Sequence, residues 1–404
     1  MPETETATTA AEIFAQILDP ANRANPYPLY AQLRQTPVAP LGDGFSVVSG
    51  YDAIVAVLHD PRFSSDIRKS DLPLQPQQQV EPRPLIFTDP PEHDRLRRIV
   101  VRQFSPARIA ALSGRVHELV DRLLEERRDR GEIDIVADLA YPVPVAIICE
   151  LLGVPREDEP RFRVWSDTLA HALDPDPGDQ LSLPAVFALQ ELAAYMQDLI
   201  AKRREHPGDD MLSALAVDDG SGEQMGDREL VATMVLLLIA GHETTVNLIS
   251  NGTLALLRHR DELERLRDDP ERVPLVVEEV LRFDPPVQFN NRFALDDVEL
   301  AGVAIPKGSG ARLMLAGANR DPRRFPDPDR FWPERPDNQH LGFNSGDHYC
   351  LGAPLARLEG QIALAKVAHR LIEPRLVADP PPYRPNALLR GPKQLLVRFD
   401  GLRD

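Results

Sequence analysis

A mainly α-helical fold with small β-sheets attached is what this sequence predicts, on three observations. Apolar residues recur at helical spacing through most of the chain from about Pro106 onward. Strand-like segments are few and short. The 39 prolines among 404 residues, about twice the ordinary share, fall between the periodic runs rather than in one tract, so they punctuate many short connections.

Taken in order, FSVVSG (45–50) predicts a strand, and SPARIAALSGRVHELVDRLLEERRDRG (105–131) and PAVFALQELAAYMQDLIAKRREHPG (184–208) predict helices. A long run from Arg228 to Arg258 follows, then DELERLRDD (261–269) and VPLVVEEVLRF (273–283). Short strands broken by turn residues are expected within 291–315, a helix in GAPLARLEGQIALAKVAHRLI (352–372), and a last strand in KQLLVRFD (393–400). Several helical runs open at Ser, Asp or Pro and close at Gly or Pro, as helix ends do. No repeat and no linker divides the chain, which is long enough to bury a large core. We expect residues 1–12, polar and small, to be disordered, and 13–404 to form a single domain.

A formal net charge of −17 and a sequence pI near 5.1 argue against a nucleic-acid partner or an anionic membrane surface. No N-terminal apolar run reads as a signal or anchor, and the longest apolar stretch, Leu230 to Ala240, is short for a bilayer. A cytoplasmic protein, monomeric and without a membrane partner, is the expectation. The two cysteines, Cys149 and Cys350, exclude a disulfide framework and a four-cysteine metal site.

The Arg228–Arg258 run, about 31 residues or roughly 46 Å as helix, is long enough to cross a domain. Its middle holds Ala240, Gly241, His242, Glu243, Thr244 and Thr245. Glycine costs about 1 kcal/mol inside a helix and the hydroxyls can bond backbone carbonyls, so a local widening or kink is expected there. A zinc-protease helix would need a second histidine at 246, where Val246 stands. Two readings stay open: a core helix with satisfied polar side chains, or a buried acid–alcohol pair for proton relay.

The second informative stretch is HLGFNSGDHYCLGAPLARLEGQ (340–361). Cys350 lies between Gly346 and Gly352, where a loop turns into a helix near Ala353. Unpaired amides and the positive end of the helix dipole favour a thiolate there, which wants a metal or an electrophile. The glycines let backbone approach the sulfur, and Phe343 would shield it. A nucleophile reading with His348 as base lacks an orienting third group. Cys149, in VAIICELLG, reads as a small core residue.

As a set, these residues resemble the cytochrome P-450 family, specifically its soluble bacterial type, from NPYPLYAQLR (25–34) to the C-terminal strand. The resemblance implies that 13–404 is one catalytic domain with the family's triangular-prism fold and a long central helix over haem b. It implies that Cys350 is the thiolate ligand of the iron, within a haem loop marked by Phe343, Gly346, Cys350 and Gly352. Ala240, Gly241, Glu243 and Thr244 match the oxygen-activation groove. His93, Arg97, Arg292 and His348 match positions that hold the haem propionates, where charge-assisted donors are needed. Glu279, Arg282 and Arg335 match a buried structural cluster under the haem loop; by spacing alone, an i, i+3 Glu/Arg pair is usually a solvated contact. Asn344, Ser345 and Asp347 depart from the family pattern, and an acid at 347 would lower the iron's potential or weaken contact with an acidic electron donor.

The activity implied is monooxygenation: dioxygen is activated with two electrons and two protons, and oxygen enters a C–H bond or double bond of a small, mainly apolar molecule such as a steroid, polyketide or terpene. Thr244 would hydrogen-bond the dioxygen and Glu243 would relay protons, with Gly241 and Ala240 leaving room. By similarity, the substrate pocket would draw on Phe87, Leu237, Ala240, Val287, Phe289, Asn290 and Leu388. No flavin or iron–sulfur motif is present, so a separate ferredoxin and ferredoxin reductase are expected, docking on a basic strip of Arg95, Arg98 and Arg102. Two alternatives are a peroxygenase driven by H₂O₂, which typically lacks the acid–alcohol pair, and a non-catalytic haem-binding protein, which needs no relay.

Overall fold

The computed structural model describes residues 8–74, 82–171, 183–217 and 223–404. Its centre is the helix Asp227–Arg258, 32 residues and about 48 Å long. Gly226 opens it, its N–H donating to Glu229 Oε2 at 2.8 Å, and Asp227 and Glu229 place negative charge on the positive end of the dipole. Helices Pro142–Leu152, Glu159–His171, Leu183–Glu205, Val273–Phe283 and Ala353–Arg370 pack around it. Every residue from Thr245 to Leu257 is buried.

By length and composition alone, two segments could cross a bilayer, Ile135–Leu152 and Asp227–Arg258. Of their most apolar windows, 72% and 67% is buried, so both serve as core helices. The N-terminal boundary moves. Residues 10–12 belong to a helix, Ala10–Leu18, capped by a reciprocal pair in which Thr9 Oγ1 accepts from Glu12 N at 3.2 Å and Glu12 Oε2 accepts from Thr9 N at 2.7 Å. Residues 1–7, also expected to be disordered, lie outside the described residues. The predicted 105–131 helix is split at Leu112 into Pro106–Ala111 and Ser113–Glu125.

The main sheet has five strands in the order Val38–Gly42, Phe45–Val48, Gly310–Leu313, Asn290–Ala294 and Phe63–Ser64. Only the Phe45–Val48/Gly310–Leu313 pair is parallel. Register matters more than topology here. Asn291 pairs with Arg312 and Arg292 with Ala311, so Arg292 and Asn291 lie on opposite faces. Arg312 stacks on Phe14, Phe45 and Phe289, which puts that face against the N-terminal helix.

Below the sheet lies a buried ion cluster. Glu279 takes two bonds from Arg282, Nε at 2.8 Å and Nη2 at 2.7 Å, with both side chains fully buried. Arg335 Nε lies 3.6 Å from the same carboxylate. Trp332 N donates to Glu279 at 2.7 Å and Asn338 Nδ2 at 3.3 Å. The remaining arginine donors reach the carbonyls of Asn319, Pro326, Asp327, Pro328 and Arg330. A buried charge is tolerable only when its lone pairs and protons are largely met; here Arg335 Nε alone among the guanidinium nitrogens lacks a hydrogen bond and faces Glu279 at ion-pair distance. Glu279→Ala should therefore lower the unfolding free energy by about 3–5 kcal/mol, because two guanidinium groups are left buried without their anion; denaturant titration checks it.

Candidate active site

Local geometry explains the loop before the Ala353–Arg370 helix. Cys350 N donates to Phe343 O at 3.0 Å, closing the loop on itself, and Tyr349 N donates to Gly346 O at 3.0 Å. Gly346 has φ +69°, and a Cβ there would stand 2.6 Å from Leu58 O, so no other residue fits without moving backbone. Asn344 also has positive φ, +64°, which asparagine tolerates better than most. Ser345 Oγ lies 2.8 Å from His59 Nε2, tying the loop to the helix Tyr51–His59. Two of the three departures from the family pattern thus have local roles. Asp347 is exposed, and its charge reaches Arg97.

Behind the sulfur, Phe343 is 8% exposed and lies under the Arg357 guanidinium at 4.6 Å. Arg357 grips Glu278 with two bonds, at 2.6 and 2.8 Å, and donates to Tyr349 Oη at 3.1 Å. His340 Nδ1 accepts from Gly342 N at 3.1 Å, so its Nε2 carries the proton shared with Glu278 at 3.1 Å. Burial pushes the Glu278 carboxyl up, but the bonds from Arg357 and His340 outweigh it and hold it near 2. Sequence reasoning missed Glu278 and Arg357 because each reads as an ordinary charged helix residue.

Cys350 lies deep in the protein, yet its side chain reaches open space, so it lines an internal cavity. Gly352 keeps the flank of that sulfur clear; a Cβ there would stand 4.0 Å from Sγ. Burial raises the thiol's pKa, opposed by the amides of Gly352 and Ala353 and by Arg97 and Arg357, and the net direction is upward. The amides at the helix start thus act in the expected direction, against the larger effect of desolvation.

Around this cavity gather two arginines and two histidines with few anionic partners; His93 Nδ1 lies 3.1 Å from Asp94 Oδ1. His93, 1% exposed, has no partner at Nε2, and its ring lies 4.3 Å from that of His348. His348 Nε2 contacts Ser65 Oγ at 2.9 Å; burial, with Arg292 and His93 nearby, pushes its pKa down to about 3. Burial likewise pulls the Arg292 guanidinium down to about 10, and the hydrogen bond it makes is Nη1 to Asn291 O at 2.9 Å. Arg97 donates to Tyr349 O at 2.8 Å. Among the described residues, neither Arg97 nor Arg292 has a carboxylate within salt-bridge distance. Buried cations with spare donors call for an anion, and the two propionates of haem fit that set. The four residues predicted for this purpose are brought together. Asp89 and Ser65, which the sequence analysis did not single out, hold them: Asp89 O accepts from His93 N at 2.9 Å, and its carboxylate takes Ser65 N at 2.8 Å and Lys69 Nζ at 2.7 Å.

On the central helix Ala240 is exposed, and Gly241 and Thr244 are half-buried. The helix stays α-helical through this stretch, so no widened turn forms. Thr244 Oγ1 donates to Ala240 O at 2.9 Å and Thr245 Oγ1 to Gly241 O at 3.5 Å. Gly241 serves close packing: a Cβ there would stand 2.9 Å from Ile148 Cδ1 on the Pro142–Leu152 helix. Glu243 is 1% exposed, with Oε2 accepting from Arg384 Nη1 at 2.6 Å. Burial pushes its carboxyl up, but His242 and Arg384 outweigh it and hold it below the usual range.

Of the expected pocket residues, Val287 and Leu388 are half-buried, Val287 bridging to Leu389, and Phe87 is exposed beneath Arg83. Asn290 is half-buried with Oδ1 unpaired. Leu237 lies in the main hydrophobic core. Phe289 does not join them: it is 2% exposed and packs edge-on against Phe14 at 6.0 Å, on the Arg312 side of the sheet. The basic strip is also corrected. Arg98 and Arg102 both pair with Glu223 at 3.3 Å, and Arg95 pairs with Glu229, so the strip is engaged with residues beside the start of the central helix.

Two outcomes follow from this geometry. Gly346→Ala should cost about 2 kcal/mol or more through a strained φ and the clash with Leu58, with lower haem content; thermal denaturation and the haem-to-protein absorbance ratio check it. The Glu278 carboxyl is depressed on folding, so its stabilisation, about 3 kcal/mol, is complete above pH 4.5 and is lost as pH falls toward 2. Glu278→Gln should remove that acid-side loss, so the stability gap to wild type closes across that window.

Comparison with known proteins agrees with this geometry. The family model for Cytochrome P450 matches residues 37–399. The cytochrome P450 monooxygenase PikC of Streptomyces venezuelae is 42% identical over 93% of this chain and 91% of that protein. The 6-deoxyerythronolide B hydroxylase of Saccharopolyspora erythraea is 41% identical over 93% of this chain and 96% of that protein. Ligand-free CYP164A2 of Mycobacterium smegmatis superposes with a TM-score of 0.90 and 44% identity, covering 96% of this chain and 100% of that one. On the strength of these matches over most of its length, the chain belongs to the cytochrome P450 family and is a P450 monooxygenase of the bacterial type.

Proposed function

We propose that this monooxygenase hydroxylates or epoxidises a small, mainly apolar organic molecule, a steroid, polyketide, terpene or similar, drawing electrons from a separate ferredoxin and its reductase. The observation that carries the reading is the convergence of buried His93 and Arg292 with half-buried Arg97 and His348, the two arginines without a carboxylate partner, beside the open sulfur of Cys350. Cys350 would hold haem b there through its thiolate, and the haem would supply dioxygen activation. The four donors would orient the propionates, and Phe343 with its Arg357 cover would keep water from the sulfur.

On the opposite wall, the Thr244 hydroxyl donates to Ala240 O and keeps lone pairs free to accept; rotation about χ1 would turn it into a donor toward the cavity. Glu243 is the acid that would hold and pass on a proton, with Arg384, which is 23% exposed, connecting it to the surface. Exposed Ala240 and half-buried Val287 and Leu388 would give the substrate an apolar wall, and the unpaired Asn290 Oδ1 one polar anchor. The relative named for 6-deoxyerythronolide B supports hydroxylation as the reaction class. Cytoplasmic residence accompanies this reading.

A ferrous carbon-monoxide spectrum tests thiolate ligation, and Cys350→Ser should abolish its signature. With surrogate ferredoxin and reductase, Thr244→Ala should keep consuming NADH while product per NADH falls about tenfold and H₂O₂ rises. Full coupling in that variant would remove Thr244 from the relay.

A further inference from the structure

His242 entered the sequence reading only as half of a failed zinc motif. It is 1% exposed, and every atom that can bond faces a partner. Nδ1 lies 2.7 Å from Leu238 O, and a carbonyl only accepts, so Nδ1 carries a proton. Nε2 faces two oxygens at once. One is Ser166 Oγ on the helix Glu159–His171, in a close hydrogen bond. The other is Glu243 Oε1 at 3.5 Å, an ion-pair distance beyond a well-formed hydrogen bond. That Oε1 is itself buried and has no hydrogen-bond partner, although Oε2 is held by Arg384.

The two protonation states of this ring do opposite things. With Nε2 bare, the ring accepts from the Ser166 hydroxyl, and its lone pair faces Glu243 Oε1, an acceptor against an acceptor. With Nε2 protonated, an imidazolium faces the carboxylate and holds it ionised. The other charged or titratable groups facing the pair, among the described residues, are Arg384 from the C-terminal segment and Tyr141, whose ring lies edge-on at 6.1 Å.

We propose that His242 is a positioning residue for the relay acid: its Nε2 proton, contested by Ser166 and Glu243, sets whether Glu243 stays ionised or takes up a proton. The proton Glu243 accepts comes from bulk water by way of the Arg384 side. His242 has the same protonation state before and after each turnover, Glu243 passes its proton on to the reaction, and no other bond changes. Because Ser166 sits on a different helix, the position of that helix biases the contest. This rests on Glu243 being the relay acid, so one test reads the titration and another the relay.

Infrared difference spectroscopy of the haem-loaded protein, with the Glu243 carboxyl band assigned through Glu243→Gln, measures that acid's proton affinity directly. His242→Phe should raise it about tenfold, one pH unit. Ser166→Ala, which frees the Nε2 proton for Oε1, should lower it about threefold. His242→Gln, which keeps a donor and fills a similar space, should lie between wild type and His242→Phe and serves if the phenylalanine variant folds poorly. The pH midpoint of product formed per NADH should move in step with the band. A Glu243 titration within threefold of wild type in both His242 variants overturns the proposal. Failure of the relay reading is distinct: it shows as full coupling in Glu243→Gln, whatever the infrared band does.

Discussion

A single buried carboxylate, Glu279, underlies the geometry of the site. It ties Arg282 on its own helix to Trp332, Arg335 and Asn338 on the irregular segment that leads into the Cys350 loop. That segment has almost no regular structure of its own, so its path is set by side-chain bonds to backbone carbonyls rather than by a helix or strand ladder. Removing the carboxylate leaves guanidinium groups with neither water nor an anion, which costs far more than a surface pair would. Packing above it then follows: His340 and Arg357 share Glu278, Arg357 covers Phe343, and Phe343 O closes the loop on Cys350 N.

Electrostatics complements this framework from the other side. The protein brings His93, His348, Arg97 and Arg292 into the interior at a desolvation cost that their few internal bonds do not offset. It raises the Cys350 thiol for the same reason. Both deficits would be met by one group that carries two carboxylates and a metal cation, and its binding would add to the stability of the fold. Opposing deficits of this kind, cations needing anions beside a thiol needing a cation, also select against a ligand of a single charge sign.

On the central helix, one segment serves two faces. Ala240 is exposed and Thr244 half-buried, whereas His242 and Glu243, next to them in sequence, are buried against Ser166 and Arg384. A helix turns about 100° per residue, so adjacent residues are carried to different surroundings by the 3.6-residue period. The acid and the alcohol are therefore neighbours in sequence that answer to different neighbours in space.

Much was legible in the sequence alone because it depends on spacing. Periodicity announced the helices, the Cys350 loop carried its glycines, and Glu279 with Arg282 sat at i, i+3. What stayed hidden depends on partners far along the chain. Arg384 reaches Glu243 across 141 positions, and Arg98 finds Glu223 across 125. Gly241 looked like room for a widened turn, but the Ile148 side chain of another helix occupies that direction. Phe289 was assigned to the pocket by family similarity, yet the pleat and the Phe14 contact place it on the other side of the sheet. Local propensity and motif spacing act within a turn or two of helix, so residue order decides them; which charge meets which, and which face meets solvent or cavity, is decided only when the helices and sheet pack.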